Sequence, residues 1–311
     1  MRKILSRLLQ IIVTLVGVSF LTFCLTYLAP GDPVTMLLEA GDTIVSQETI
    51  EQTRHEMGLD RPFLVQYGHW VSHAVHGDMG ISYSAKKPVT DKLMEGFEGT
   101  ILLALAAAVL AVLISFPLGI YAAVHQNRLP DHLLRIISFI SVSMPSFWIG
   151  LILLYVFGLL LGLFPIASSQ VSAEGIVLPA VTLAIYMSSK LMRQIRTVIL
   201  DELHKDYVVG ARARGLTERR ILWRHVLPNA ILPLITILGM SIGWLLGGVA
   251  VIEMVFSWPG IGNMAVRAIL MRDYPLIEGF VLWVAIIYTG INFLVDLSYA
   301  LFDPRLRKEA R

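Results

Sequence analysis

The 311-residue chain carries little charge: Asp, Glu, Lys and Arg make up 15% of it, against about 25% in an ordinary soluble domain. Hydrophobic residues account for 56% of the chain, and its mean hydropathy is +0.69. This shortage of charged groups excludes a soluble globular enzyme. The composition predicts an all-α integral membrane protein.

The chain also lacks the motifs of most enzymes and metalloproteins. Cys24 is its single cysteine, which excludes an internal disulfide. No GxxxxGK[ST] loop is present to hold the phosphates of ATP, and no cysteines and histidines show zinc-site spacing. We therefore expect no catalytic residue and no cofactor in this chain. A membrane enzyme, the less favoured alternative, would need His, Asp or Glu side chains that converge at one membrane face.

Stretches poor in charge predict six transmembrane helices, because a helix needs about 20 apolar residues to cross the hydrocarbon core. They lie at about 8–29, 100–124, 136–163, 176–197, 230–254 and 279–302. The fourth is short of apolar residues, and Asp296 interrupts the sixth. Spans two to five have no ionisable residue at their centres, which argues against the alternative of a secondary transporter or channel.

Lysine and arginine are distributed unevenly between the loops, and this asymmetry sets the orientation. Placing both termini in the cytoplasm puts most basic residues inside, including the dense group from Lys190 to Arg224. The chain then divides into a tail with the first helix (1–29), an extracytoplasmic loop (30–99), a five-helix core (100–302) with a cytoplasmic loop (198–229), and a cytoplasmic tail (303–311).

The extracytoplasmic loop is predicted to form a small helical domain. Ser46 is expected to cap a helix that Gly58 ends. Asp60 is expected to cap a second helix, with Pro62 in its first turn and Gly77 beyond its end.

Three histidines follow one another at helical spacing in this second helix: His69, His73 and His76. Positions i, i+4 and i+7 lie on one face of a helix, and neutral imidazole binds nickel well. We interpret them as ordinary loop histidines. A transient metal site is the alternative.

The most basic segment is ARARGLTERRILWRHVLPNA, from Ala211 to Ala230, with five arginines and one acidic residue. A short helix is predicted from Leu203 to Arg214, with Leu203, Tyr207 and Ala211 on one face and Arg212 and Arg214 elsewhere. Gly215 is expected to end it.

A second short helix is predicted from Glu218 to Val226, ending before Pro228. Two short helices around a glycine would form a compact projection on the cytoplasmic side. Its charge is compatible with contact to anionic lipid headgroups and equally with a groove on a partner protein.

The same segment resembles the cytoplasmic motif E-A-A-x-x-x-G-x9-I-x-L-P of permeases from ATP-binding-cassette (ABC) importers. The alignment on Gly215 matches four positions of the motif: Ala211, Gly215, Leu227 and Pro228. The motif's glutamate, first alanine and isoleucine are replaced by Val209, Gly210 and His225.

Further stretches, in family order over nearly the whole chain, resemble the peptide/nickel branch of these permeases: LAPGDP, MGLDRPFLVQYGHW, GDMGIS, SMPSFW, GGVAVIEMVFSWPGIG, RDYPLI and DPRLR. The sequence is identified by them as a member of that branch, and it looks slightly closer to the nickel-import permeases. The resemblance implies a six-helix permease with the type I ABC importer fold.

The resemblance also implies partners and a location. They are a second, related permease subunit, two cytoplasmic ABC ATPase subunits that bind ATP and Mg, an extracytoplasmic substrate-binding protein and the lipid bilayer, with no nucleic acid. The location is the cytoplasmic (inner) membrane of a bacterium or archaeon. The cargo implied is nickel, free or chelated, with di- and oligopeptides as the alternative.

On this resemblance, the cytoplasmic loop is the coupling region that contacts an ATPase. The coupling residues expected are Asp206, Tyr207, Ala211, Arg212, Arg214, Gly215, Glu218, Leu227 and Pro228.

The outer end of the fifth span carries a second candidate region. Trp258 suits a membrane interface, and Pro259 with Gly260 should turn the chain back toward the membrane. Glu253 could pair with Arg267 or with the partner permease. We interpret this region as a re-entrant corner, and an outer gate or docking lip for the binding protein is its functional alternative.

Overall fold

The computed structural model describes residues 2–30, 33–39 and 46–302, and every regular element within them is helical. The expected turn at Pro30–Pro33 lies partly outside these residues, and the tail at 303–311 lies wholly outside them. The helices are α1 Arg2–Leu28, α2 Pro33–Glu39, α3 Gln47–Glu56, α4 Phe63–Val75, α5 Val89–Val124, α6 Leu129–Ser143, α7 Ser146–Leu153, α8 Val177–Leu203, α9 Asp206–Ala213, α10 Glu218–Ile221, α11 Leu227–Val255, α12 Ile261–Leu270 and α13 Tyr274–Phe302.

Four of the described helices are long and apolar enough to cross a membrane: α1, α5, the α10–α11 segment and α13. The bent pair of α6 and α7 is a fifth if it forms one span. Four of the six predicted spans thus correspond to a helix of the required length and hydropathy, and the third corresponds to the bent pair. The fourth, 176–197, corresponds to α8, which is helical but less apolar, so the count of six stays a prediction.

The third predicted span, 136–163, is wrong as a single helix. α6 ends at Ser143, α7 begins at Ser146 and continues as a π-helical turn to Leu160, and the two halves are bent by 99°. The cause is Pro145, which lacks an N–H and pushes the preceding Met144 to an extended conformation (φ −90°, ψ 137°).

The chain divides into two compact units, and the larger one, 100–259 with 290–311, has its core around α8. α8 packs against α6, α7 and α11 and buries Leu183, Leu191 and Ile195 almost completely. One of its charged residues is paired within the protein. Arg196 donates two hydrogen bonds, of 2.6 and 2.7 Å, to the carboxylate of Asp131 on α6, which is fully buried.

The other unit, 1–99 with 260–289, joins α1, the loop helices and the start of α13. Phe23 of α1 makes an edge-on ring contact with Tyr67 and a tilted one with Trp70, both on α4. Thr26 of α1 donates a 2.6 Å hydrogen bond to the buried Glu278 of α13. The first span is therefore held to α4 by aromatic contacts and to α13 by a polar bond.

Asp273, just before α13, organises the same unit. Its buried carboxylate accepts hydrogen bonds from the hydroxyls of Ser82 (2.6 Å) and Ser84 (2.7 Å) and from the backbone N–H groups of Tyr83 and Ser84. The stretches GDMGIS and RDYPLI, nearly 200 positions apart in the sequence, are thereby brought together.

The expected caps of the loop helices are half right. Ser46 caps α3 by accepting from the N–H of Thr49, which confirms that prediction. The prediction for Asp60 is wrong: Pro62 precedes α4 without a side-chain cap, and the carboxylate of Asp60 lies 2.7 Å from Nδ1 of His55 instead.

Gly119 of α5 is a point where α8 approaches too closely for a side chain. A Cβ there would lie 2.9 Å from Cβ of Ile195 and from the carbonyl oxygen of Met192.

We expect Gly119→Ala to destabilise the protein by about 1–3 kcal/mol through overpacking, seen as a lower thermal midpoint in detergent. Gly17→Ala in α1, where a Cβ meets no atom within 4 Å, is the matched control. Equal midpoints for the two variants would show that α5 and α8 do not pack this closely.

Candidate coupling site and outer corner

α9 is the centre of the expected coupling region, and it is shorter than predicted, beginning at Asp206 and ending at Ala213. Val208 and Ala211 are buried against a core that includes Ile221 and Val226. Tyr207 is half-buried beside this core, so the predicted shared face of Tyr207 and Ala211 is confirmed. The packing fixes one side of α9 and leaves the other exposed.

Glu202, at the end of α8, ties α9 to that helix. It is 7% exposed. Its carboxylate accepts a 2.8 Å hydrogen bond from the Tyr207 hydroxyl and a 2.5 Å hydrogen bond from Nζ of Lys205. Burial raises the pKa of the Tyr207 phenol above its usual range, so it remains a donor. Glu202 was not predicted as a functional residue from the sequence. Lys205 and Tyr207 follow it by three and five residues, a spacing that matches no functional motif.

The turn after α9 depends on Gly215. Its φ is +78°, a left-handed conformation that favours glycine, and its N–H donates to the carbonyl of Arg212. Across the turn, Arg212 donates two hydrogen bonds, of 2.7 and 3.1 Å, to the carboxylate of Glu218. Gly215 thus ends the helix as predicted, and Glu218 holds the turn closed.

The second short helix does not end before Pro228, and that prediction is wrong. α10 runs from Glu218 to Ile221, continues as a π-helical turn through Leu222–Val226, and joins α11 at Leu227. Pro228 lies in the first turn of α11, where its missing N–H costs little. The coupling segment is therefore continuous with a membrane-spanning helix.

One face of this loop stays open to solvent, and we call it the coupling surface: Asp206, Val209, Gly210, Arg212, Ala213, Arg214 and Gly215. Val209, which replaces the motif's glutamate, is 56% exposed. Of the other expected coupling residues, Pro228 is exposed and Leu227 is half-buried. The surface therefore combines two exposed arginines, Arg212 and Arg214, with an exposed apolar side chain, Val209.

The outer corner differs from its prediction. Glu253 and Trp258 are fully buried, Thr100 donates a 2.5 Å hydrogen bond to Glu253, and Trp258 belongs to the core around α8. Trp258 is therefore packed inside the protein and is not exposed to lipid. Pro259 is half-buried and Gly260 is buried, so this region offers little surface to a docked protein. Its role as an outer gate stays a prediction.

The three histidines lie at the exposed side and end of α4. The rings of His69 and His73 are 4.2 Å apart, and Nδ1 of His73 donates to the carbonyl of His69. Nδ1 of His76, the residue after α4, donates to the carbonyl of Ser72. In the part of the chain that the structure describes, no three His, Cys, Asp or Glu side chains are grouped to hold a metal ion. The metal alternative stays a prediction.

Family comparison matches two regions of the chain. Residues 115–308 match the model of the binding-protein-dependent transport system inner membrane component, and residues 1–104 match the N-terminal region of such membrane components. The chain belongs to this family.

Relatives of this permease have similar lengths. It is 40% identical over 306 residues to the nickel import system permease protein NikB of Staphylococcus aureus, covering 98% of this chain and 92% of that one. It is 38% identical over 304 residues to the glutathione transport system permease protein GsiC of Escherichia coli, covering 98% of each.

Solved structures show the same fold. The permease resembles an inward-facing structure of the methionine ABC transporter MetNI, with a TM-score of 0.57 at 18% identity over 68% of this chain and 96% of that one. An amino acid ABC transporter gives a TM-score of 0.52 at 17% identity, over 67% and 92% of the two chains.

The family match and the fold confirm the class of protein that the sequence predicted. The chain is a multi-pass membrane subunit of an ABC importer of the peptide/nickel branch. It is a permease and not an enzyme, because ATP hydrolysis belongs to partner chains of such importers.

The contact of Glu202 with α9 generates a test. Glu202→Ala removes both the acceptor for Tyr207 and the partner of Lys205, so α9 should open more often. We expect amide hydrogen exchange in Asp206–Ala213 to become about tenfold faster, since hydrogen bonds to charged groups are strong. Hydrogen-exchange mass spectrometry measures this. The exposed neighbour substitution Asp201→Ala should leave the exchange unchanged, and an equal acceleration in both variants would contradict the role of Glu202.

Proposed function

We propose that this chain forms half of the translocation pathway of an ATP-driven importer. A second, related permease subunit forms the other half, and two cytoplasmic ABC ATPases, which hold ATP and Mg, supply the energy. A substrate-binding protein delivers cargo to the extracytoplasmic side, and both termini lie in the cytoplasm. The family description, which names a binding-protein-dependent membrane component, is the observation that carries this proposal.

The coupling surface supports the contact with an ATPase. It is basic at its rim, where Arg212 and Arg214 are exposed, and apolar at Val209. Exposed apolar residues framed by charges are typical of protein docking sites, whereas a site for anionic headgroups needs only the charges. A docked ATPase subunit therefore explains this surface better than lipid alone does.

The contacts around α9 provide a route for motion into the membrane. Glu202 fixes α9 to α8, while α10 leads through the π-helical turn into α11. A displacement of α9 by closure of the two ATPases would therefore move both helices of the larger unit. We propose that this movement switches the permease from inward-open to outward-open and that hydrolysis resets it.

For the cargo we propose a short peptide, with chelated nickel as the second candidate. The S. aureus and E. coli relatives, named for nickel and for glutathione, are 40% and 38% identical to this chain, so identity favours neither. Glutathione is itself a tripeptide. Polar groups of Trp70, Tyr274 and Glu278, which line one cavity on the extracytoplasmic side, fit the amide and carboxylate groups of a peptide.

Substrate-stimulated ATPase activity of the reconstituted complex tests this proposal. The complex with its binding protein is given di- to pentapeptides, free nickel, or nickel with histidine. We expect peptides to raise ATPase activity and uptake, and omission of the ATPase subunits to abolish uptake. Stimulation by nickel alone would replace peptide by nickel as cargo. Uptake by this chain without an ATPase would refute the importer assignment.

Gly215 supplies a test of coupling. A β-branched side chain at φ +78° is strained, so Gly215→Val should distort the turn that presents α9. We expect uptake to fall at least tenfold while the complex still assembles and hydrolyses ATP. The matched control is Gly210→Ala on the same surface, where a Cβ meets no atom within 4 Å. Normal uptake by an assembled Gly215→Val complex would show that this turn does not transmit the coupling.

A further inference from the structure

The extracytoplasmic unit contains a cavity of about 920 Å³ that the coupling mechanism does not use. α1, the end of α3, α4, the segment 78–83 and the start of α13 provide its walls. Its volume lies at the upper end of the range for small-molecule sites, about 300–1,000 Å³. All its lining residues belong to the unit formed by 1–99 and 260–289.

Two side chains in the wall carry buried hydrogen-bond donors with no partner. They are the indole N–H of Trp70 on α4 and the hydroxyl of Tyr274 at the start of α13. A buried donor without an acceptor is costly, and few survive in folded proteins. Both residues line the cavity, so a carbonyl or carboxylate oxygen of a bound molecule is the acceptor that we expect these donors to find.

The same wall carries an acceptor. Glu278 is 6% exposed, and one of its oxygens, Oε1, receives a 2.6 Å hydrogen bond from Thr26. Among the described residues, none donates a hydrogen bond to Oε2. A carboxylate this deeply buried is stabilised by a cationic or N–H-bearing partner. An ammonium or amide group of a ligand would supply one.

The rest of the wall suits the same kind of molecule. Phe23, Tyr27 and Tyr83 give it apolar faces. His73 also lines it, and because Nδ1 of His73 donates to a carbonyl, Nε2 of the neutral ring is an acceptor. Donors, acceptors and apolar faces together match a molecule that alternates carbonyl and N–H groups.

We propose that this cavity is a binding site for a short peptide on the extracytoplasmic side of the permease itself. Trp70 and Tyr274 donate to its carbonyl or carboxylate oxygens, and Glu278 accepts from its ammonium or amide N–H groups. The identification of this peptide with the transported cargo rests on the proposed function. The proposal that the cavity binds a peptide is independent of it.

Equilibrium dialysis of radiolabelled trialanine against the whole complex, without binding protein and without ATP, tests the site. We expect saturable binding to the wild type. Trp70→Phe and Tyr274→Phe keep the rings and remove the donors, so each should weaken binding about three- to tenfold. Glu278→Gln should weaken it about tenfold or more. The control is Gly68→Ala on α4, which is exposed, lies outside the cavity wall and should bind as the wild type does.

A second measurement needs no substitution. Trialanine should slow amide hydrogen exchange of Phe63–Val75 in the wild-type complex and leave exchange of Asp206–Ala213 unchanged. Basal ATPase activity checks that each variant complex has assembled.

The outcomes separate this site from the proposed function. Absence of saturable trialanine binding, or equal binding by wild type and all three cavity variants, overturns the site even if the complex imports peptides. Weakened binding in the three variants and unchanged binding in Gly68→Ala supports the site, whatever cargo the importer proves to carry.

Discussion

The larger unit depends on the buried ion pair between Asp131 and Arg196. A carboxylate removed from water is stable only when its charge is met by a partner and its oxygens are hydrogen-bonded. Two bonds from Arg196 and one from the N–H of Asn127 meet that requirement. Because Asp131 lies on α6 and Arg196 on α8, satisfying this charge fixes the position of α8 against α6. A helix too polar for an ordinary lipid-facing span can then occupy the core.

The position of α8 in turn decides how the coupling region is presented. Glu202 lies less than two turns beyond Arg196 on the same helix, and its carboxylate holds Lys205 and Tyr207. α9 is therefore attached to the most buried helix of the unit. Its outward face carries the arginines and Val209. A structure that is rigid on one side and exposed on the other is what transmission of force from a docked partner requires.

In the unit formed by 1–99 and 260–289, Asp273 has the equivalent organising role. It gathers the backbone and hydroxyls of Ser82–Ser84 and so fixes the loop that leads into α5 beside the start of α13. The same arrangement sets Tyr83 and Tyr274 in the wall of the cavity. Tyr274, one of the three side chains proposed to bind a peptide, is thus held beside a network that needs no ligand.

Local sequence determined those features that depend on neighbouring residues. Low charge and long apolar runs predicted a helical membrane protein, since hydrocarbon leaves the backbone no other hydrogen-bond partners. Ser46 and Gly215 were assigned correctly because a cap and a left-handed turn are set within a few residues. Tertiary structure decided the rest. Trp258 is buried in a core that its own sequence neighbours do not reveal. Asp60 binds His55 instead of capping a helix. Glu202 and Glu278 acquire their roles from partners on other helices, and no periodicity or motif in the chain encodes which buried charge finds which partner.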